Sequence, residues 1–146
     1  MGYIEDPGTS GSPPRVYPFL FLDHGSRTVA RSEHDNTQVA RWVTRERGIV
    51  LVGPDPRELI DEVSAEALRT EMREKFHRAA MERPPDPAAI DSRWLQAFLV
   101  GLYCRMLHTL ETGTVAFKKA ASQWALARLD ARWQRLIASS VRFEAE

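Results

Sequence analysis

Apolar residues recur along this chain mostly three and four positions apart, and the places where that rhythm fails divide it into elements. In "DNTQVARWVTRERG", Val39, Trp42 and Val43 fall at helical spacing, with Asp35 or Asn36 placed to cap the start and Gly48 to stop the helix. The unbroken apolar run "IVLV" at 49–52 then predicts a short buried strand, and Gly53 to Pro56 a turn. Ser64 is placed to cap a second helix, in which Leu68, Met72, Phe76 and Ala80 make one stripe and charged residues fill the rest. "PPDP" at 84–87 breaks the chain, after which Asp91 is the expected cap of a longer helix. There Trp94, Leu95, Phe98, Leu99, Leu102, Met106 and Leu110 cover more than half the circumference, as in a helix at the centre of a bundle, and Gly113 ends it. A fourth helix with Phe117, Ala121, Trp124 and Ala125 inward follows. A fifth, capped by Asp130, turns Trp133, Leu136, Ile137 and Val141 inward.

The beginning of the chain differs. Its first eighteen residues are dense in Gly, Pro and Ser and predict extended or disordered chain, and "FLFLDHGS" predicts a short strand ended by a turn. The fold expected is mainly α, a bundle of about four helices preceded by a short α/β remnant of one helix and one short strand. Three segments are expected: a loop-rich stretch at 1–31, the end of an α/β unit with its hinge at 32–62, and a helical bundle at 63–146.

Composition narrows the class. The 146 residues make one domain of ordinary size, or the end of one joined to a smaller second one, and 43% apolar content supplies a core. Twenty basic and twenty acidic side chains cancel, so no global field recruits nucleic acid or an anionic membrane, and neither is an expected partner. A lone cysteine, Cys104, excludes an internal disulfide and points to a reducing compartment. No apolar run approaches the roughly 18 residues of a bilayer span. The expected location is the cytoplasm.

Candidate chemistry is sparse. "GPDP" lacks the spacing of a Walker loop, and Pro54 and Pro56 remove backbone N–H groups that a phosphate cradle uses, so a rigid turn is the better reading. "HGSRTVARSEHD" imitates the Gly-Ser then Asp-x-Asp order of nucleotidyltransferases, with Gly25-Ser26 and Glu33-x-Asp35. The gap is too short, however, and a helix follows Asp35 where that metal site needs a strand. His24, His34 and His77 do not have metal-ligand spacing. His108 and Cys104 read as packed helix residues rather than as nucleophile or base.

Arg105 and Lys118 stand apart. Arg105 interrupts the most apolar helix, where a guanidinium is costly to bury unless it meets an anion or a carboxylate. Lys118 and Lys119 open the next helix, an end whose dipole already presents positive potential and suits an incoming anion. Two readings stay open: an anion site, or an internal pair such as Arg105–Glu111 beside solvated lysines.

Two stretches carry a resemblance. "HDNTQVARWVTRERGIVLVGPDPRELIDEVSAEALR" resembles the junction region of the aminoglycoside adenylyltransferases that modify streptomycin and spectinomycin. "LYCRMLHTLETGTVAFKKAASQWALARLDARWQRLI" is similar to their C-terminal helical domain, through the order Arg105, Thr112-Gly113, Lys118, Trp124-Ala125 and Leu129. The resemblance implies a helical domain that meets an N-terminal nucleotidyltransferase domain, with ATP, Mg²⁺ and the drug in the cleft between, and AMP passing to a drug hydroxyl. It implies that Arg105 and Lys118 contact the nucleotide phosphates and that Asp91 faces the cationic drug. A second such carboxylate position falls on Leu95, which cannot serve. The family's metal-binding aspartates and catalytic-base carboxylate have no counterpart here, so no catalytic or metal residue is assigned. The chain by itself is expected to be inactive and to hold no Mg²⁺. The alternative is a non-catalytic interaction module that associates through exposed apolar surface.

Overall fold

The computed structural model describes residues 19–22, 25–32, 36–81 and 92–143. The expectations for residues 1–18, for His24, Glu33, His34 and Asp35, for the break at 84–87 and for Asp91 lie outside them. The contacts divide the chain into two units, residues 1–63 and 64–146, each described by itself.

In the first unit, β1 (Phe19–Phe21) pairs antiparallel with β2 (Ala30–Ser32), Phe19 opposite Ser32 and Phe21 opposite Ala30. The first strand is the expected one. The second is not, because Ala-Arg-Ser has no β-branched or aromatic residue to announce it. Helix α1 (Gln38–Arg47) is capped by neither Asp35 nor Asn36. Thr37 is the N-cap, in extended backbone with its Oγ1 accepting the Ala40 N–H at 3.0 Å. Asn36 instead accepts from Arg41 Nε at 3.0 Å. Gly48 ends the helix as expected, its N–H reaching the Thr44 carbonyl.

The expected buried strand at 49–52 does not form. Ile49 is 86% exposed and Val52 96%, and the segment is irregular. A strand is stable only when its backbone groups pair laterally, and none of the described residues pairs with this run. Beyond it Gly53, at φ +101°, makes the turn. Asp55 then caps a one-turn helix, α2 (Pro56–Leu59), accepting the Arg57 N–H at 2.9 Å, with proline at the first helical position. Arg45 of α1 donates to the carbonyls of Arg57 and Ile60, and Glu46 pairs with Arg57 at 3.2 Å. The Gly-Pro-Asp-Pro loop is thus a turn that leads into a capped helix held against α1.

The second unit is the bundle. Ser64 Oγ accepts the Ala67 N–H at 3.1 Å and starts α3 (Ala65–Met81), whose Leu68 and Met72 are buried. Helix α4 (Arg93–Thr112) begins at Ser92, whose Oγ accepts the Leu95 N–H at 3.4 Å, so the cap falls one residue after Asp91. It ends at Gly113 in the left-handed conformation, φ +69°. Helix α4 packs against α3, against α5 (Lys118–Arg128) and against α6 (Gln134–Phe143), which confirms its central place. The core where these meet is Cys104, Ala121, Ala125 and Ile137, flanked by Val100, Trp124 and Leu129. Alanines at 121 and 125 let the helices approach closely.

Several residues expected inward point to solvent. Phe117 is the N-cap of α5 rather than part of it, and is 68% exposed. Trp133 belongs to a 3₁₀ turn, Ala131–Trp133, started by Asp130. Three residues per turn there shift the phase on entering α6, so Ile137 faces the core while Trp133 and Leu136 stay exposed. Trp94, at the free end of α4, is 62% exposed. No helix among the described residues is long and apolar enough to cross a membrane.

Candidate functional site

The candidate residues are held by α4 and α5, which run in the same direction, with Lys118 beside Phe98, His108 against Trp124 and Arg128 on Glu111, and the turn that ends α4 is closely tied. Thr112 Oγ1 donates to the His108 carbonyl at 2.9 Å, lies 2.9 Å from Thr114 Oγ1 and accepts the Thr114 N–H at 3.2 Å. Arg69 of α3 donates its Nε to the Leu110 carbonyl at 3.1 Å, satisfying an orphan acceptor where the dipole is negative. Glu111 accepts from Arg128 of α5. The end of α4 is fixed by local chemistry.

Arg105 lies in the middle of α4, half-buried, with its Nε fully covered and without a hydrogen-bond partner. The internal pair with Glu111 does not form: six residues along one helix put the two on different faces, and Glu111 pairs with Arg128 instead. Among the described residues Arg105 makes no ion pair. A buried N–H of a guanidinium left unsatisfied costs on the order of 1–3 kcal/mol. Lys118 is the first residue of α5, whose N-cap, Phe117, offers no side-chain acceptor. Its exposed Nζ lies 5.8 Å from the centre of the Phe98 ring. Phe98 and Arg105 are seven residues apart in one helix, hence on one face and about 10 Å apart along the axis. The structure therefore gives Arg105 and Lys118 a shared face of α4. Asp91 is outside the described residues.

Sequence reasoning missed the aromatic half of this face. Trp94 and Phe98, four residues apart, stack with ring centroids 5.4 Å apart and 11° between planes. Together with Ala97, Lys118 and Phe143 they line a cleft of about 430 Å³. Trp94 and Phe98 were both assigned to the core by their spacing. The signal that separates them from it is position, since both belong to the first turns of α4, beyond the reach of the central core cluster.

His108 and Cys104 are the packed residues they were read as. The His108 ring meets Trp124 edge-on at 5.4 Å. Cys104 is buried, and desolvation pushes its thiol above the ordinary 9.0, against a weaker opposing pull from its own backbone and Ser122. A thiol so placed is a poor nucleophile. Among the described residues, no group of three His, Cys, Asp or Glu is arranged to hold a metal ion.

The arrangement is a cationic and aromatic face suited to an anion joined to a flat ring. Neither a curated protein nor a solved structure matches the chain. The model of the aminoglycoside adenylyltransferase C-terminal domain matches residues 58–145, more than half of the chain and every helix of the bundle. By that match the chain belongs to the family of aminoglycoside adenylyltransferase C-terminal domains.

Proposed function

We propose that the bundle is the nucleotide- and substrate-contacting half of an adenylyltransferase whose parent reaction moves AMP from ATP to a hydroxyl of streptomycin or spectinomycin. The observation that carries this reading is the buried, partnerless Nε of Arg105 on the face that also holds Lys118. Phosphate oxygens satisfy such a donor, and two cations on one face offset the charge that develops on a transferred phosphoryl group and its pyrophosphate leaving group. Asp91, just ahead of α4, would meet a cationic group of the drug, while Leu95 in the next turn withdraws a second such contact. In this reading the role of the bundle is to orient the phosphates and the acceptor. Alone it does not turn over. Its place would be the cytoplasm, in antibiotic resistance.

Calorimetric titration with ATP·Mg²⁺, then with each drug, tests the reading beside an Arg105→Ala/Lys118→Ala variant. Binding by the wild type that the variant loses supports it. No heat from a folded wild-type chain refutes an autonomous site, and favours instead a non-catalytic interaction module. That second reading draws on the exposed Ile49, Leu51, Val52, Phe117 and Trp133.

A further inference from the structure

A second cleft, of about 370 Å³, opens between the first half of α4 and the last turns of α6. Its volume falls within the roughly 300–1,000 Å³ of small-molecule sites. Its α4 lining includes Arg93 and Val100, and Val100 stands about 140° around the helix from Arg105. The cleft therefore opens on another side of α4 from Arg105, although Ala97 and Phe143 border both clefts.

Two arginines, Arg93 and Arg142, line it, and among the described residues neither makes a hydrogen bond or an ion pair. Arg45, Arg57, Arg69, Arg73, Arg128 and Arg132 each pair with a carboxylate, whereas Arg93 and Arg142 are two unpaired arginines that border one cleft. Arg93 is moreover the first residue of α4, where the helix dipole opposes a cation, and it shares the cleft with a second like charge. Both unfavourable terms reverse when an oxyanion enters, because the guanidinium fork matches phosphate and carboxylate oxygens. The Ser139 hydroxyl, also in the lining and without a partner among the described residues, adds a donor. The opposite character comes from Val100, Leu136 and Phe143 in the same lining, with Leu136 49% and Phe143 36% exposed. Their open surface is what an apolar group of a ligand would cover.

We propose that this cleft is a separate binding site for a small phosphate monoester with an apolar body. The dianion lies between Arg93 and Arg142 with Ser139 donating to it, and the apolar body rests on Leu136 and Phe143. A dianion matches the two arginine charges, which a monocarboxylate does not.

The test is a titration of the full chain with phenyl phosphate, inorganic phosphate and benzoate, followed by calorimetry and by amide shifts. In the Arg105→Ala/Lys118→Ala background, which removes the cations of the other face, phenyl phosphate is expected to saturate one site at least about tenfold more tightly than either of the others, since every 1.4 kcal/mol is tenfold. Arg93→Gln/Arg142→Gln is expected to lose that binding by at least about tenfold at unchanged thermal stability, and Arg105→Ala/Lys118→Ala to keep it. Leu136→Ser, exposed enough to be tolerated, should reduce phenyl phosphate to the affinity of inorganic phosphate. Undiminished binding by the Arg93/Arg142 variant, loss in the Arg105/Lys118 variant, no preference for the phenyl ester, or no saturable binding would each overturn the proposal.

Discussion

Arg128 closes on Glu111 through two donors to one carboxylate oxygen, Nη2 at 2.6 Å and Nε at 3.1 Å, and so ties the start of the α4–α5 turn to the end of α5. Arg105, six residues before Glu111 and on another face of α4, takes no part in this pair. The pair is half-exposed on both sides, so its direct contribution to stability is small, about 0.2–1 kcal/mol. Arg128→Ala is expected to lower the melting temperature by no more than a few degrees and to leave ATP affinity unchanged. Arg105→Ala is expected to leave the melting temperature unchanged or raised and to lower ATP affinity. Thermal melts and calorimetry on the two single variants check this division. Equal losses of affinity would mean that Arg105 acts only through the packing of α4 on α5.

The turn that ends α4 is under a steric constraint that can be measured. At Gly113, φ is +69°, and a Cβ there would lie 2.6 Å from Ala65 Cβ and 3.0 Å from the Arg69 guanidinium. Gly113→Ala therefore combines a left-handed backbone penalty of roughly 1–2 kcal/mol with a clash. Urea unfolding should show a loss above about 2 kcal/mol. Ala65 is the first residue of α3, where glycine is cheap. Ala65→Gly in the Gly113→Ala background should recover part of the loss, a favourable coupling that independent sites would not show.

What the sequence announced was the bundle, and the reason is physical. Helices that bury a stripe need a recurring pattern, and Leu68, Met72, Cys104, Ala121, Ala125 and Ile137 all obey it. Cap positions were read to within one or two residues, because neighbouring Asp, Asn, Ser and Thr compete for the same role and only backbone geometry chooses. The site was half readable. Arg105 announced itself as a charge in an apolar helix, whereas Trp94 and Phe98 looked like core because hydrophobicity cannot say whether a partner helix reaches that far. The run at 49–52 failed for a related reason: its pattern states what the segment would bury, not whether anything covers it.

That last failure carries its own prediction. With Val52 96% exposed, Val52→Lys should change the unfolding free energy by less than about 0.5 kcal/mol. The contrast is Leu68→Ala, fully buried, which should cost about 2–5 kcal/mol. Chemical denaturation of both variants checks the pair. Adding a charge to an apolar run should also lower aggregation, read by light scattering at rising concentration. A loss of several kcal/mol at Val52 would instead mean that the run is buried.

Burial of Cys104 gives a pH dependence whose sign is fixed. Desolvation raises the thiol above its ordinary 9.0 in the folded chain, so the folded state prefers the protonated form. At neutral pH both states are protonated and the thiol contributes fully. As the pH climbs above 9.0, the unfolded chain ionises first and gains, and stability falls until the folded-state value is passed. Unfolding free energies measured from pH 7 to about 10.5 should thus decline more for the wild type than for Cys104→Ala, which has no thiol to ionise. The same burial predicts slow labelling by a thiol reagent at pH 8, at a rate that follows opening of the bundle and is abolished as a barrier by denaturant. Parallel pH curves for the two proteins, together with immediate labelling of the native chain, would show that Cys104 is open to solvent and that the α4–α5 core is looser than its packing implies.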